Sequence, residues 1–254
     1  MELDNFKDFT RVLANESGKI VRKYFRSDIH VERKKDSSPV TIADKTAEEK
    51  MRELIMKEFP DHGILGEEFG EHNPKAEYQW ILDPIDGTKS FITGTVMFGT
   101  LIALLKNNSP VLGVINQPVM NDFLIGDNVS AQLNGMAVHV NDTSKLAEAS
   151  LMTTDQINFE QYQDIDKFLA LTRSVRLYRM WGDCYGYFLV ATGFADIMID
   201  PVMHIWDTAA LIPVIRGAGG VITDYQGNDP LSGNAIIASN KKLHPLVVSA
   251  LNKG

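Results

Sequence analysis

Cysteine is nearly missing from this chain. Cys184 is the only one in 254 residues, which rules out an intrachain disulfide framework and fits a reducing compartment. Long apolar runs are missing too. "FGTLIALL" (residues 98–105) has the length of a strand, far short of the ~18 apolar residues of a membrane span. The opening stretch "MELDNFKDFTRVLANESGKI" lacks the basic start and apolar stretch of a secretory signal, so the expected location is cytoplasmic. There is no basic surplus. The formal net charge is −8, which argues against a partner bound through a phosphate backbone. A small phosphorylated substrate stays open, because bound cations can reverse the local sign of a site. Several chemical templates are also absent: a Walker loop, a nucleophile elbow, a zinc-protease helix and an EF-hand loop. The six histidines show no metal-ligand spacing.

What is present changes character along the chain. Phe6, Phe9, Leu13, Ile20 and Tyr24 recur at helical spacing, with Asp4 or Asn5 able to cap. The polar, basic stretch Arg33–Thr41 reads as a loop. A second helix is expected from about Asp44, with Ala47, Met51, Leu54 and Ile55 inward, ending before Pro60. "GILGEE" (63–68) reads as a short strand running into two glutamates. From Trp80 closely spaced strand patterns follow, "MFGTLIALL", "PVLGVINQPV", "DFLIG" and "AVHVN", which suggest a mostly antiparallel meander. From about Leu151 strands and helices alternate. "FEQYQDIDKFLALT", "GYFLVATG" and "WDTAALIPVIRG" are predicted helices, the last closed by Gly217, and a final helix starts near Lys241. Strands first and βα alternation afterwards imply two sub-structures stacked in layers, 1–145 and 146–254.

The run "WILDPIDGTKSF" (80–91) ends a hydrophobic segment in two carboxylates, Asp83 and Asp86. Asp-Pro and Asp-Gly are ordinary turn dipeptides. A hard cation such as Mg²⁺, however, collects oxygen ligands from the ends of several elements. Glu67 ends one strand, Asp83 and Asp86 end another with the Ile85 carbonyl between them, and Asp207 opens a helix far along the chain. Pro84 fixes its own φ and restricts Asp83. Gly87 lets the backbone approach a ligand, and the turn it forms with Thr88 can cradle a phosphate. The Thr88 hydroxyl can hold a water, with Asp44 placed to take its proton. Each residue also has a plainer reading: Asp44, Asp183 and Asp207 as helix caps, Glu67 as solvated surface, and Asp200 before Pro201 as a turn acid.

Four ordered segments, "PVTIADKTAE" (39–48), "GEE" (66–68), "WILDPIDGTKSF" (80–91) and "WDTAALIPVIRGAGG" (206–220), resemble the inositol monophosphatase family over nearly the whole chain. The resemblance implies a fructose-1,6-bisphosphatase-like αβαβα sandwich, a layered α/β fold with a largely antiparallel first sheet and a second α/β half. It implies a metal-dependent phosphoric monoester hydrolase with two or three Mg²⁺ per site. The metal ligands fall on Glu67, Asp83, the Ile85 carbonyl, Asp86 and Asp207. Asp44, Thr88 and Glu67 become the catalytic residues, and Gly87 with Thr88 the phosphate-holding turn. Most ligands then lie in 1–145, and 146–254 supplies Asp207 and the substrate side. The loop Arg33–Asp36, with Lys35, matches loosely a segment that closes near a third metal. Where inositol phosphatases read D-P-I-D-G-T-T-N-F, this chain has Lys89 and Ser90. The segments "WGDCYGYFLVATGFADIMIDP" (181–201) and "ALIPVIRGAGGVITDYQG" (210–227) resemble the histidinol-phosphate phosphatase branch of histidine biosynthesis. The branch implies substrate contacts at Asp86, Asp183 and Asp200, where inositol phosphatases usually have Glu in place of Asp200. The expected partners are a small phosphorylated metabolite and a second copy in a homodimer, with neither nucleic acid nor membrane. An inositol-1-monophosphatase or a related sugar or polyol phosphatase is the alternative.

Overall fold

The computed structural model describes residues 2–28, 30–33 and 39–252. Its first helix, α1 (Glu2–Tyr24), buries Phe6, Leu13, Ala14 and Val21 at helical spacing. Thr10 and Ser17 share that buried stripe, and each satisfies its hydroxyl on a carbonyl of its own helix, Lys7 O at 2.7 Å and Leu13 O at 2.8 Å. Because α1 begins at Glu2, Asp4 and Asn5 lie inside its first turn and are not its cap. The short antiparallel pair β1 (Val31–Arg33) and β2 (Pro39–Thr41) leads into α2 (Ile42–Glu58). Most of the basic loop singled out above, including Lys35 and Asp36, lies outside the described residues.

The strands β3 (Gly63–Gly66), β4 (Gly70–His72) and β5 (Tyr78–Asp86) come next, then the one-turn helix α3 (Thr88–Ile92). The meander follows as β6 (Gly99–Lys106), β7 (Ser109–Gln117), β8 (Asp122–Gly126), β9 (Ala131–Leu133) and β10 (Met136–Ala137). All but the first pair form one eight-stranded sheet in the order β10-β9-β8-β7-β6-β5-β3-β4. It is antiparallel except between β3 and β5. "AVHVN" is therefore less of a strand than its alternation suggested. Only Ala137 pairs in the ladder, and the Val140 amide turns away to the Ala218 carbonyl.

The later elements are β11 (Ser150–Met152), α4 (Ile157–Tyr162), α5 (Ile165–Ser174), β12 (Leu177–Arg179), α6 (Asp183–Ala191) and β13 (Ile197–Asp200). After them come α7 (Ile205–Thr208), α8 (Leu211–Gly217), β14 (Val221–Asp224), β15 (Ile236–Ser239) and α9 (His244–Asn252). The second sheet runs β12-β11-β13-β15-β14, parallel through the first three and antiparallel beyond. Two predicted helices are broken. Asp164 accepts the amides of Asp166 and Lys167 and restarts the chain as α5. Pro213, without an N–H, leaves Ala209 O unpaired by the i+4 residue and divides α7 from α8. The last helix starts at His244, after Asn240 has taken the amides of Lys242 and Leu243 on its side chain.

Both sheets are covered on both faces, which explains strands such as "GTLIALLK" that read as continuous apolar runs. From β6, Ile102 and Leu104 pack under α1 and α2, while Leu101, Ala103 and Leu105 enter the core around α6 and α8. From β15, Ala238 and Ile236 face that middle core and Ile237 faces the outer cluster with α5 and α9. The layers are thus helix, sheet, helix, sheet, helix, the expected sandwich.

Candidate active site

The parallel pairing of β3 with β5 sets the site. It aligns Gly66 with Leu82, so Glu67 follows one strand where Asp83 ends the apolar part of its neighbour. The Glu67 amide still reaches the Leu82 carbonyl at 3.2 Å. Ligand sites in α/β folds lie at carboxyl ends of strands for this reason: side chains of neighbouring elements converge there.

Asp83 and Asp86 are three residues apart, and a regular strand would send them to opposite faces. The ladder with β6 shows how this is avoided. Asp83 pairs with Leu101 and Asp86 with Gly99, so β5 carries one extra residue over the span Pro84–Ile85. The Thr100 hydroxyl holds the bulge by donating to the Pro84 carbonyl at 2.8 Å, and the Ile85 amide donates to Asp83 Oδ1 at 3.0 Å. Asp207, at the third position of α7, spends one oxygen on the His204 amide at 2.7 Å. As a result Asp83, Asp86 and Asp207 each offer an oxygen within 4.8 Å of the others.

Three carboxylates cannot share this space fully charged. Burial raises the Asp83 carboxyl well above the ordinary range, and the charges of Glu67, Asp86 and Asp207 add to it. Burial, then Asp183 and Asp207, does the same to Asp86. Asp207 is pushed up to about 7, chiefly by burial. An all-oxygen donor set that repels itself suits a hard divalent cation, so the residues present fit Mg²⁺. Glu67 lies outside this tight trio, but it lines the adjoining cavity and its charge reaches Asp44, Asp83 and Asp207.

Asp44 is almost fully buried at the third position of α2. Its Oδ2 accepts the Thr41 amide at 2.8 Å and the Thr41 hydroxyl at 2.6 Å, so it is also half of a capping box. Its Oδ1 lies 3.3 Å from Thr88 Oγ1, which is 3.1 Å from the Ile85 carbonyl as well. One hydroxyl proton cannot serve both acceptors fully. Burial raises the Asp44 carboxyl, against the pull of the Thr41 bonds.

Beyond Thr88 opens a cavity of about 300 Å³ lined by Glu67, Gly87, Thr88, Lys89, Ser90, Thr154, Asp155, Asn158 and Asp183, with Pro39 at its edge. Gly87 takes φ +87, and a Cβ there would meet Asp183 Oδ2 at 2.8 Å. Asp183 itself stands at φ +49, a strained backbone for a residue with a side chain. Its amide donates to Thr154 Oγ1 at 2.7 Å, and the Ser90 hydroxyl donates to its Oδ2 at 3.2 Å. Asp183 does not cap α6; its carboxyl is turned to the cavity and pushed to about 7 by burial, then by Asp200.

Asp200 sits elsewhere. It is 2% exposed, absent from the cavity wall, and its oxygens accept the Tyr187 hydroxyl at 3.1 Å and the Thr154 amide at 3.0 Å. It braces Thr154, which in turn holds Asp183. Cys184 packs in the middle core, and its amide donates to Asp86. Thr154, Asp155 and Asn158 escaped the sequence reading. The available signal was the position of Thr154 and Asp155 just after strand β11, at a carboxyl end; Asn158 lies in the first turn of α4.

A five-layer sandwich with clustered carboxylates at its strand ends describes a phosphomonoesterase class. Residues 2–254 match the inositol monophosphatase family, and the chain belongs to it; its members hydrolyse phosphomonoesters. The chain is 42% identical to a bifunctional phosphatase, IMPL2, chloroplastic, of Arabidopsis thaliana, over 98% of this chain and 76% of that one. It is 37% identical to a histidinol-phosphatase of Chlorobaculum parvum, over 95% of both. Among solved structures, an inositol monophosphatase from Zymomonas mobilis superposes with a TM-score of 0.89 at 35% identity, over 99% of both chains. No helix among the described residues is long and apolar enough to cross a membrane.

Proposed function

We propose that this phosphatase is Mg²⁺-dependent and acts on histidinol phosphate. The relatives named histidinol-phosphatase support the reading, and one observation carries it: the Asp183 carboxylate, held at a strained backbone by Ser90 and Thr154, projects beside the Gly87–Thr88 turn. Asp155 adds a second carboxylate to the same wall. A leaving group bearing an ammonium and an imidazole gains from such a wall by Coulomb attraction in a partly buried site, and a neutral polyol gains less. Asp200 has a bracing role in this reading and makes no substrate contact.

Glu67, Asp83, the Ile85 carbonyl, Asp86 and Asp207 would hold the metal. Bound there, Mg²⁺ supplies Lewis-acid activation of water and neutralises phosphate charge. The chain's own residues do the rest. Gly87 and Thr88 seat the phosphate. Thr88 orients the attacking water with a lone pair and passes a proton to Asp44, whose carboxyl is made a better proton acceptor by burial. Asp44→Asn is accordingly expected to lower kcat by about 10²- to 10⁴-fold with little change in KM. A change confined to KM would place the base elsewhere.

Phosphate release from histidinol phosphate, inositol 1-phosphate, fructose 1,6-bisphosphate and a nucleoside monophosphate, with and without Mg²⁺, tests the reading. Histidinol phosphate should have the highest kcat/KM, and only with the metal. Asp183→Asn should lower its kcat/KM about 10- to 100-fold, the worth of a hydrogen bond to a charged group, and barely alter that of inositol phosphate. Equal losses on both would remove Asp183 from specificity. The Zymomonas mobilis likeness favours an inositol monophosphatase as the second reading, which a higher kcat/KM on inositol 1-phosphate would establish. The two-halves division at 145/146, a homodimer and a cytoplasmic location complete the proposal; sedimentation at the mass of a single chain would exclude the homodimer.

A further inference from the structure

Glu48 and Glu49 read alike in sequence, as charges on a helix. The structure separates them: Glu49 is exposed and Glu48 has no exposed surface. A carboxylate buried that far is costly unless its lone pairs are taken. Here Oε2 accepts the Glu68 amide at 2.7 Å. Oε1 accepts the Phe69 amide at 3.2 Å and Arg52 Nη1 at 3.0 Å, and the same Nη1 donates to the Gly70 carbonyl at 3.0 Å. With the Glu67 amide on Leu82, three successive amides are pinned, one to β5 and two to α2. Gly66 completes the fit, because a Cβ there would overlap the Glu48 carboxylate.

We propose that Glu48 is a positioning residue for the metal centre: its carboxylate fixes the backbone of Glu67–Phe69 and thereby aims the Glu67 side chain at the rim of the Asp83–Asp86–Asp207 cluster. The inference rests on the reading of Glu67 as a metal ligand. Glu48→Gln keeps the shape but sets an NH₂ against one of two amide donors and leaves Arg52 without its anion.

Calorimetric titration of the metal-free protein with Mg²⁺ alone tests the proposal. Glu48→Gln should weaken Mg²⁺ binding about 10- to 100-fold, the usual cost of losing a group that orients a ligand. The Mg²⁺ half-saturation of turnover should rise in parallel, with kcat largely recovered at saturating metal. Unchanged Mg²⁺ affinity beside a lowered Tm would show a structural role only and overturn the proposal. Glu67→Gln runs alongside. If it weakens Mg²⁺ and Glu48→Gln does not, positioning alone fails; if Glu67→Gln changes nothing, the ligand reading fails and takes this one with it. Should Glu48→Gln not fold, Glu48→Asp, whose carboxylate is drawn one methylene back from both amides, should weaken Mg²⁺ several-fold, and unchanged affinity would refute the proposal.

Discussion

Asp86→Asn should reduce Mg²⁺-dependent phosphate release by about 10³-fold, the scale of losing a preorganised electrostatic group, while the circular dichroism stays that of the native fold. The reason lies in the bulge. Asp86 shares a 4.8 Å space with Asp83 and Asp207 only because β5 carries an extra residue before it. Asparagine keeps an oxygen for the Cys184 amide and nearly the same volume, so packing is preserved. What disappears is one ionisable carboxyl of three whose charges would repel one another. In the metal-free protein the Tm should therefore hold or rise while activity collapses. That opposition separates lost chemistry from misfolding, and turnover near the wild-type level would remove Asp86 from the centre.

The second large effect is on stability. In the folded chain Asp207 and Asp183 are pushed to about 7 and Asp200 to about 6, against about 3.9 for an unfolded aspartate. Between these values the folded state binds more protons than the unfolded one, so stability falls as pH rises through that window. The contribution of these groups is complete below about pH 4 and is lost by the time pH passes 6 to 7. Metal-free protein should melt at a clearly lower temperature at pH 8 than at pH 5. Mg²⁺ should reverse the trend, and act more strongly at pH 8, where fewer protons have to be displaced. At a concentration about a hundred times its Kd it should add about 2.7 kcal/mol, or about 5–10 °C for a chain of this size. Scanning calorimetry at both pH values, with and without Mg²⁺, measures this; a pH-independent Tm that ignores the metal would contradict a self-repelling acidic centre.

Periodicity carried much of the fold. The α1 stripe and the β6–β8 meander follow from spacing, because apolar faces must be buried whatever packs on them. It failed where a local competitor won: the Asp164 cap within one predicted helix, Pro213 within another, and the Val140 amide drawn to Ala218. At the site, Asp83 and Asp86 stood out as a pair, but nothing linear could show that a bulge turns both the same way. Nor could it tell Asp183 from Asp200. Both are aspartates near turns; one lines the cavity at φ +49 and the other is sealed behind Tyr187 and Thr154.

The sequence by itself determined which acids were available, which strands had to be buried on both faces, and that one cysteine would leave stability to packing. Tertiary structure alone decided which acids meet. Parallel pairing brings Glu67 to the end of β5, the bulge aligns Asp83 with Asp86, and the packing of α7 against β5 adds Asp207 from more than a hundred positions along the chain. The reason is that like charges gather only where a fold held together by its apolar layers forces them to, and the contacts that force these are distant along the chain.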